Sequence, residues 1–264
     1  MGSRYGGLKQ MDGLGPNGET IIDYSIYDAI EAGFSKVIFI IKESMYDTFS
    51  STIGKRIEDK IKVEYVFQRI DDLIVPIENI NRIKPWGTAH ALYAAREKIT
   101  DSFVIINSDD YYGKESFKVL GDWLRAHEGK TGEYALVGFE LENTLSESGG
   151  VSRGIGTAGA DSFLTDVVEH HKIERAEDGK IYGENSVTGE KVELADKALC
   201  SMNMWGFTPD YFEQSEEIFK TFLAAHSTEL KSEFYIPFVI DSFIKNGGKC
   251  ELLQTTSRWF GVTF

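Results

Sequence analysis

The chain has 264 residues, 42% hydrophobic and 27% charged, a composition that excludes intrinsic disorder and allows one large domain with a sizeable core. Its 42 acidic against 28 basic side chains leave a net charge of -14, which opposes the phosphate neutralisation that duplex binding needs and excludes a general nucleic-acid binder. The longest apolar run, Val37-Ile38-Phe39-Ile40-Ile41, is far short of the roughly 20 residues of a membrane span, and no basic-then-apolar leader opens the chain, so a cytoplasmic protein that avoids membranes is expected.

The first 18 residues hold six glycines and almost no apolar periodicity, and they read as loop. From Thr20 the pattern changes: Ile22, Ile26, Ala29 and Ile30 form one stripe of a helix that Thr20 and Asp23 cap and Gly33 ends. Residues 36–42 follow as a strand whose central run is apolar on both faces, as in a parallel strand covered by helices on each side. A helix over 44–57 and a β-branched, aromatic strand over 62–67 come next, then an irregular stretch over 68–86. Helix character returns at Thr88, with Ala91, Leu92, Ala95 and Ile99 on its face. A third buried strand, 103–106, ends in Asn107-Ser108-Asp109-Asp110. Such alternation implies βαβ units, a mostly parallel sheet, and ligands at the carboxyl ends of the strands. A helix over 115–126 and a strand over 134–141 extend the scheme.

Residues 143–199 are rich in Gly, Ser and charge, with short alternating pieces at 163–169 and 190–194 between turn signals Asp178-Gly179 and Thr188-Gly189. They read as an antiparallel flap or subdomain inserted in the single 1–264 domain. Core texture resumes at 200–207, before helices over 210–226 and 233–246 and end strands over 250–255 and 259–263. Cys200 and Cys250 form neither a disulfide framework nor a zinc pattern and read as buried apolar side chains.

The opening Gly2-Ser3-Arg4-Tyr5-Gly6-Gly7-Leu8-Lys9-Gln10 sets backbone donors, an Arg and a Lys in one short loop, the groups a polyphosphate needs for close approach and charge-assisted bonds. From the residues alone, an N-terminal tail accounts for it equally well. His170 and His171 are neighbours in a strand and point to opposite faces, so they do not share an ion. No Ser/His or Cys/His nucleophile constellation stands out.

The loop resembles the signature of the sugar-nucleotide pyrophosphorylases, nucleotidyltransferases with a GT-A-like, Rossmann-like fold. Three later segments are similar in order and spacing: Pro85-Trp86-Gly87-Thr88-Ala89, Asn107-Ser108-Asp109-Asp110-Tyr111-Tyr112-Gly113, and Val167-Val168-Glu169 with Lys172 after it. The resemblance implies an α/β fold with a mostly parallel mixed sheet, helices on both faces, and the antiparallel flap as the acceptor-binding part. It implies Arg4 and Lys9 on a triphosphate, Gly2 and Ser3 as backbone contacts, and Gln68, Gly87 and Thr88 at the nucleotide. Asp109 becomes the magnesium ligand, with Asp110 exchanging roles if the register moves by one, and Glu169, Lys172 and Asn203 become acceptor contacts. For Gln68 an exposed strand-end residue is an equal reading, and for His90 a structural donor is the simpler one.

Two departures from the pattern stand out. Where the family offers a second metal carboxylate, Ser232-Glu233-Phe234-Tyr235-Ile236-Pro237-Phe238 puts Phe238, so Glu233 or Asp241 substitutes, or the metal has one protein carboxylate. The family's first strand and its Ala-Ala-Gly have no counterpart ahead of Gly2, so the resemblance implies truncation and a gap or swapped pairing near 37–41 and 103–106. The implied partners are a nucleoside triphosphate and a phosphorylated small molecule, most simply a sugar 1-phosphate, and a homo-oligomer is left open. Two rival readings stand beside it. One is a cytidylyltransferase for a phosphorylated alcohol such as phosphocholine, boxed by Trp86, Tyr111, Tyr112 and Trp205; the other is a non-catalytic sensor of sugar nucleotides.

Overall fold

The computed structural model describes residues 13–77 and 81–261. Thr20 opens helix α1, Ile21–Glu31, in a full capping box with Asp23: the Thr20 hydroxyl accepts from the Asp23 N–H while the Asp23 carboxylate accepts from the Thr20 N–H. The helix delivers the chain to β1, Lys36–Ile41, which pairs in parallel with β2, Lys62–Phe67. Between them the expected single helix is broken. A 3-10 turn precedes α2, Tyr46–Phe49, then a π turn over Ser50–Gly54 leads into α3, Lys55–Ile57. Ser51 and Thr52 hydroxyls bond back to the Asp47 and Thr48 carbonyls at 2.6 Å, the back-bonding that distorts a helix.

Helix α4, Thr88–Ala94, is shorter than its apolar stripe, and β3, Phe103–Ile105, follows it. A short β4, Asp110–Tyr111, and α5, Lys114–Ala126, come next, then β5, Glu133–Glu140. Strands β6, Val151–Ala158, β7, Leu164–Arg175, β8, Ile181–Asn185, and β9, Lys191–Leu194, make the flap, and β10, Leu199–Phe207, returns to the core. Helices α6, Tyr211–His226, and α7, Ile236–Lys245, precede β11, Lys249–Thr255, and β12, Phe260–Gly261.

The class is α/β with a mixed sheet: β1 pairs with β2 and β5 with β11 in parallel, while β10 and the flap strands pair antiparallel. The long sheet runs β11-β5-β10-β6-β7-β8-β9, so the flap is hydrogen-bonded into the core sheet through β6 and β10. Helices cover both faces, which the alternation along β5 records. Tyr134 and Leu136 enter the core under α6 and α7, whereas Ala135, Val137 and Phe139 enter the core under α5. A third core joins α1, β1 and the π turn through Ile22, Ile26, Phe39 and Ile53, with Val63 and Tyr65 of β2 packed against it. Both cysteines are buried and free.

Against the expectation for its apolar run, β1 is not covered on all sides: only Phe39 and Ile41 are buried. The edge of β1 that no described strand pairs faces a groove of about 1060 Å³ whose other wall is β3. Among the described residues β3 pairs only with β10. Among the described residues this groove separates 37–41 from 103–106.

Candidate active site

The strands bring their carboxyl ends to one end of this groove, where Ile41, Thr88, Asn107, Ser108, Asp109 and Asn203 line it. Open α/β sheets bind ligands at this edge, because side chains there project from loops over backbone groups that no further strand residue covers. Asp109 belongs to this rim. Asp110, next in the chain, is buried, and its Oδ2 accepts from Asn107 Nδ2 at 2.9 Å and lies 3.4 Å from the Tyr112 hydroxyl. Burial pushes the Asp110 carboxyl up to about 6, with the Asp109 charge adding to the shift. The Tyr112 hydroxyl accepts from the Asn107 N–H at 3.0 Å and donates to Met202 O at 2.9 Å, tying the acidic loop to β10.

Asn203 stands where β10 changes partners. On one edge Cys200 and Ser201 pair with β6, while Trp205 to Phe207 pair with β3, and the register against β5 shifts between Ser201 and Trp205. Asn203 takes the left-handed conformation at this irregularity, φ 60°, and its side chain is exposed at the groove. A non-glycine residue held there is strained, and such strain concentrates at binding sites.

Next to Thr88 of the rim, Gly87 opens α4 at φ 110°; neither Gly87 nor Gln68 lines the groove. A Cβ there would stand 2.6 Å from Phe234 O and 2.9 Å from Phe234 N, so only glycine lets the turn pack on that backbone. Thr88 Oγ1 accepts from the Ile236 N–H at 3.2 Å, joining the turn to α7. Gln68, at the end of β2, donates from Nε2 to Gly87 O at 3.2 Å and contacts His90 Nδ1 at 3.0 Å.

Residues 9–174, more than half of the chain, match the family model named nucleotidyl transferase. The chain belongs to this family. No curated protein matches by sequence. Among solved structures it is similar to an inositol-1-phosphate CTP transferase from T. maritima, at 9% identity over 98% of this chain and 82% of that one, TM-score 0.59. It is also similar to a UDP-glucose pyrophosphorylase complexed with UDP-glucose, at 17% identity over 96% and 84%, TM-score 0.53. At such identity the likeness concerns the fold.

In this nucleotidyl transferase Asn203 lines the groove, whereas Glu169 and Lys172 do not. Glu169 pairs with Gly154 across β6 and β7, and a Cβ on Gly154 would stand 3.4 Å from Glu169 Oε2 and 3.9 Å from Ser201 Cβ. The nearest atom to that position is Val167 Cγ1 at 2.9 Å, so the Val167 side chain packs over the glycine. Lys172, left-handed at φ 50°, is exposed and paired with Glu184 at 2.7 Å. His170 is buried with Nδ1 on Val168 O, while His171 is exposed and bonded to Ser152 Oγ, so the two histidines share no site.

Neither proposed substitute for a second metal carboxylate lines the transferase's groove. Glu233 is paired with Lys84, and Asp241 with Lys245 at 2.7 Å on the exposed side of α7. The backbone beside the acidic pair is β12, whose Gly261 pairs with Asp110; a Cβ there would lie 3.2 Å from Asp110 Oδ1. Sequence reading passed over Gly261, because only the β4–β12 pairing brings the end of the chain to this loop. The aromatic box also dissolves: Trp86, Tyr112 and Trp205 are wholly buried, Trp86 under the Arg82 guanidinium and bonded to Ile70 O, Trp205 stacked on Phe207. Gly2, Ser3, Arg4 and Lys9 lie outside the described residues.

Among the described residues no three or more His, Cys, Asp or Glu side chains converge as a metal cage. A single rim carboxylate, Asp109, fits a magnesium ion that takes its other oxygens from phosphates and water.

Proposed function

We propose that the protein transfers a nucleotidyl group from a nucleoside triphosphate to a sugar 1-phosphate, giving an NDP-sugar and pyrophosphate. A phosphate oxygen of the acceptor forms the new bond to the α-phosphorus as the bond to pyrophosphate breaks. That nucleophile is already anionic at neutral pH and needs no general base, which agrees with a rim that carries no catalytic His or Cys. The barrier is the approach of two polyanions. Asp109 would hold magnesium, which when bound neutralises phosphate charge, and Arg4 and Lys9 would share that role from the Gly-rich loop. Gln68, Gly87 and Thr88 serve the nucleotide side; Asn203 and Glu169, with Lys172 once it leaves Glu184, serve the acceptor side.

The observation that carries this reading is the meeting of Asp109, Thr88 and Asn203 at one groove end in a chain of the nucleotidyl transferase family. The testing experiment mixes each nucleoside triphosphate with magnesium and a panel of sugar 1-phosphates and measures pyrophosphate. Release with one pair supports the reading. Binding of a sugar nucleotide without pyrophosphate release from any pair replaces it with the sensor.

A further inference from the structure

From Thr255 to Gly261 the chain runs back along the acidic loop in the opposite direction. Thr255 Oγ1 lies 3.0 Å from Ser116 Oγ, Thr256 Oγ1 donates to Glu115 Oε2 at 2.7 Å, and Phe260 and Gly261 pair with Tyr111 and Asp110. The crossing is tight at Gly113, φ 81°, where a Cβ would stand 2.8 Å from Ser257 Oγ. Trp259 packs inward from this strap, whereas Phe260 is 54% exposed. The Trp259 ring takes the place of a Gly261 side chain: a Cβ there would stand 2.6 Å from its Cη2 and 3.2 Å from Asp110 Oδ1. The Arg153 guanidinium lies over the same ring, 4.9 Å from its centroid. Arg153 is itself buried at the root of the flap and tied to Ser152 O, Thr144 Oγ1 and Thr144 O. These contacts bear on Asp109. On one side of it the Asn107 N–H donates to the Tyr112 hydroxyl, which donates to Met202 O, and on the other the Asp110 backbone is paired with Gly261. Only Ser108 and Asp109 stand between these two anchors, so both must hold for the Asp109 carboxylate to keep one direction.

We propose that the 255–261 strap holds the acidic loop in its metal-binding geometry, and that Trp259, set between Arg153 of the flap and Gly261 beside Asp110, is its positioning residue. This rests on the reading of Asp109 as the magnesium ligand. A ring that meets an immobile cation and a backbone without a side chain has little freedom, and what it fixes is the strand end from which Asp109 projects.

Two measurements on the intact protein test it. The first titrates Mn2+ alone, followed by electron paramagnetic resonance. Trp259→Ala and Gly261→Ala should each weaken Mn2+ binding about tenfold or more, the usual cost of losing a group that orients a metal ligand. Phe260→Ala, which alters the outward side of the same strap, should bind Mn2+ as wild type does. The second follows the Trp259 indole N–H by NMR: its signal should shift when Mg2+ is added to wild type and stay in place in Asp109→Ala. Thermal melts establish which variants are folded; should Trp259→Ala not fold, Gly261→Ala and the indole signal decide. Unchanged Mn2+ affinity in a folded Trp259→Ala or Gly261→Ala, or an equal loss in Phe260→Ala, overturns the proposal while leaving Asp109 as the ligand. A wild-type protein that binds no Mn2+ overturns the metal reading and this role of the strap with it.

Discussion

Asp109 and Asp110 are adjacent in the chain and opposite in environment: the first lines the groove, and the second is buried against Asn107 and Tyr112. A strand end lets consecutive side chains part in this way, and the two carboxylates should respond differently to substitution.

Asp109→Ala is expected to abolish magnesium-dependent pyrophosphate release while shifting the unfolding free energy by no more than about 0.5 kcal/mol, as for other surface positions. Paired activity and thermal-melt assays check both halves. Full activity in Asp109→Ala, with loss in Asp110→Ala, would assign the metal to the buried neighbour.

Asp110→Asn should act on stability, and its effect should depend on pH. The Asp110 pKa is raised in the folded protein to about 6. Its stabilising contribution is therefore complete only below the unfolded carboxylate range and is lost as pH rises through about 6, an effect of at most ~3 kcal/mol. Asparagine keeps an acceptor for Asn107 and never ionises. Melts with chelator present should show the variant gaining on wild type between pH 4 and pH 8; a difference that does not change with pH defeats the argument.

Gly87→Ala should destabilise by ~3 kcal/mol, since it combines a positive φ with a Cβ 2.6 Å from Phe234 O. Phe234 donates its N–H to Trp86 O and accepts from the Ala89 N–H, so it cannot retreat without losing both bonds. Denaturant unfolding measures the cost, and a loss under ~1 kcal/mol would mean that this backbone yields.

Arg4→Ala and Lys9→Ala are each expected to weaken triphosphate binding by roughly 1.5 to 3 kcal/mol, the worth of a charge-assisted bond, and to leave acceptor binding nearly unchanged. Unchanged triphosphate affinity by calorimetry would remove the loop from the site.

The groove between β1 and β3 is flanked by strand edges, and buried backbone groups normally find partners. Helix α1 leads directly into β1, so a strand placed ahead of the Gly-rich loop would reach β1 by the usual right-handed crossover. Fusing about 5 to 6 apolar residues there, a typical strand length, should raise the melting temperature and triphosphate affinity together. An extended protein with neither gain would show that the groove does not take a strand.

Local rules settled much of this molecule. The Thr20 capping box and the β-branched run of β2 depend on neighbours a few residues away, so their positions could be read directly. The order of acidic, glycine and flap segments likewise carried the nucleotidyl transferase assignment. Contacts across long separations decided the rest: β12 lies beside Asp110 only through strand pairing, and Asn203 becomes a strained corner only because β10 exchanges β6 for β3. The separation of Asp109 from Asp110 and the orientation of Gln68 by His90 and Gly87 belong to the same class. Each depends on burial and on which backbone carbonyl lies opposite, and these exist only once the layers have packed.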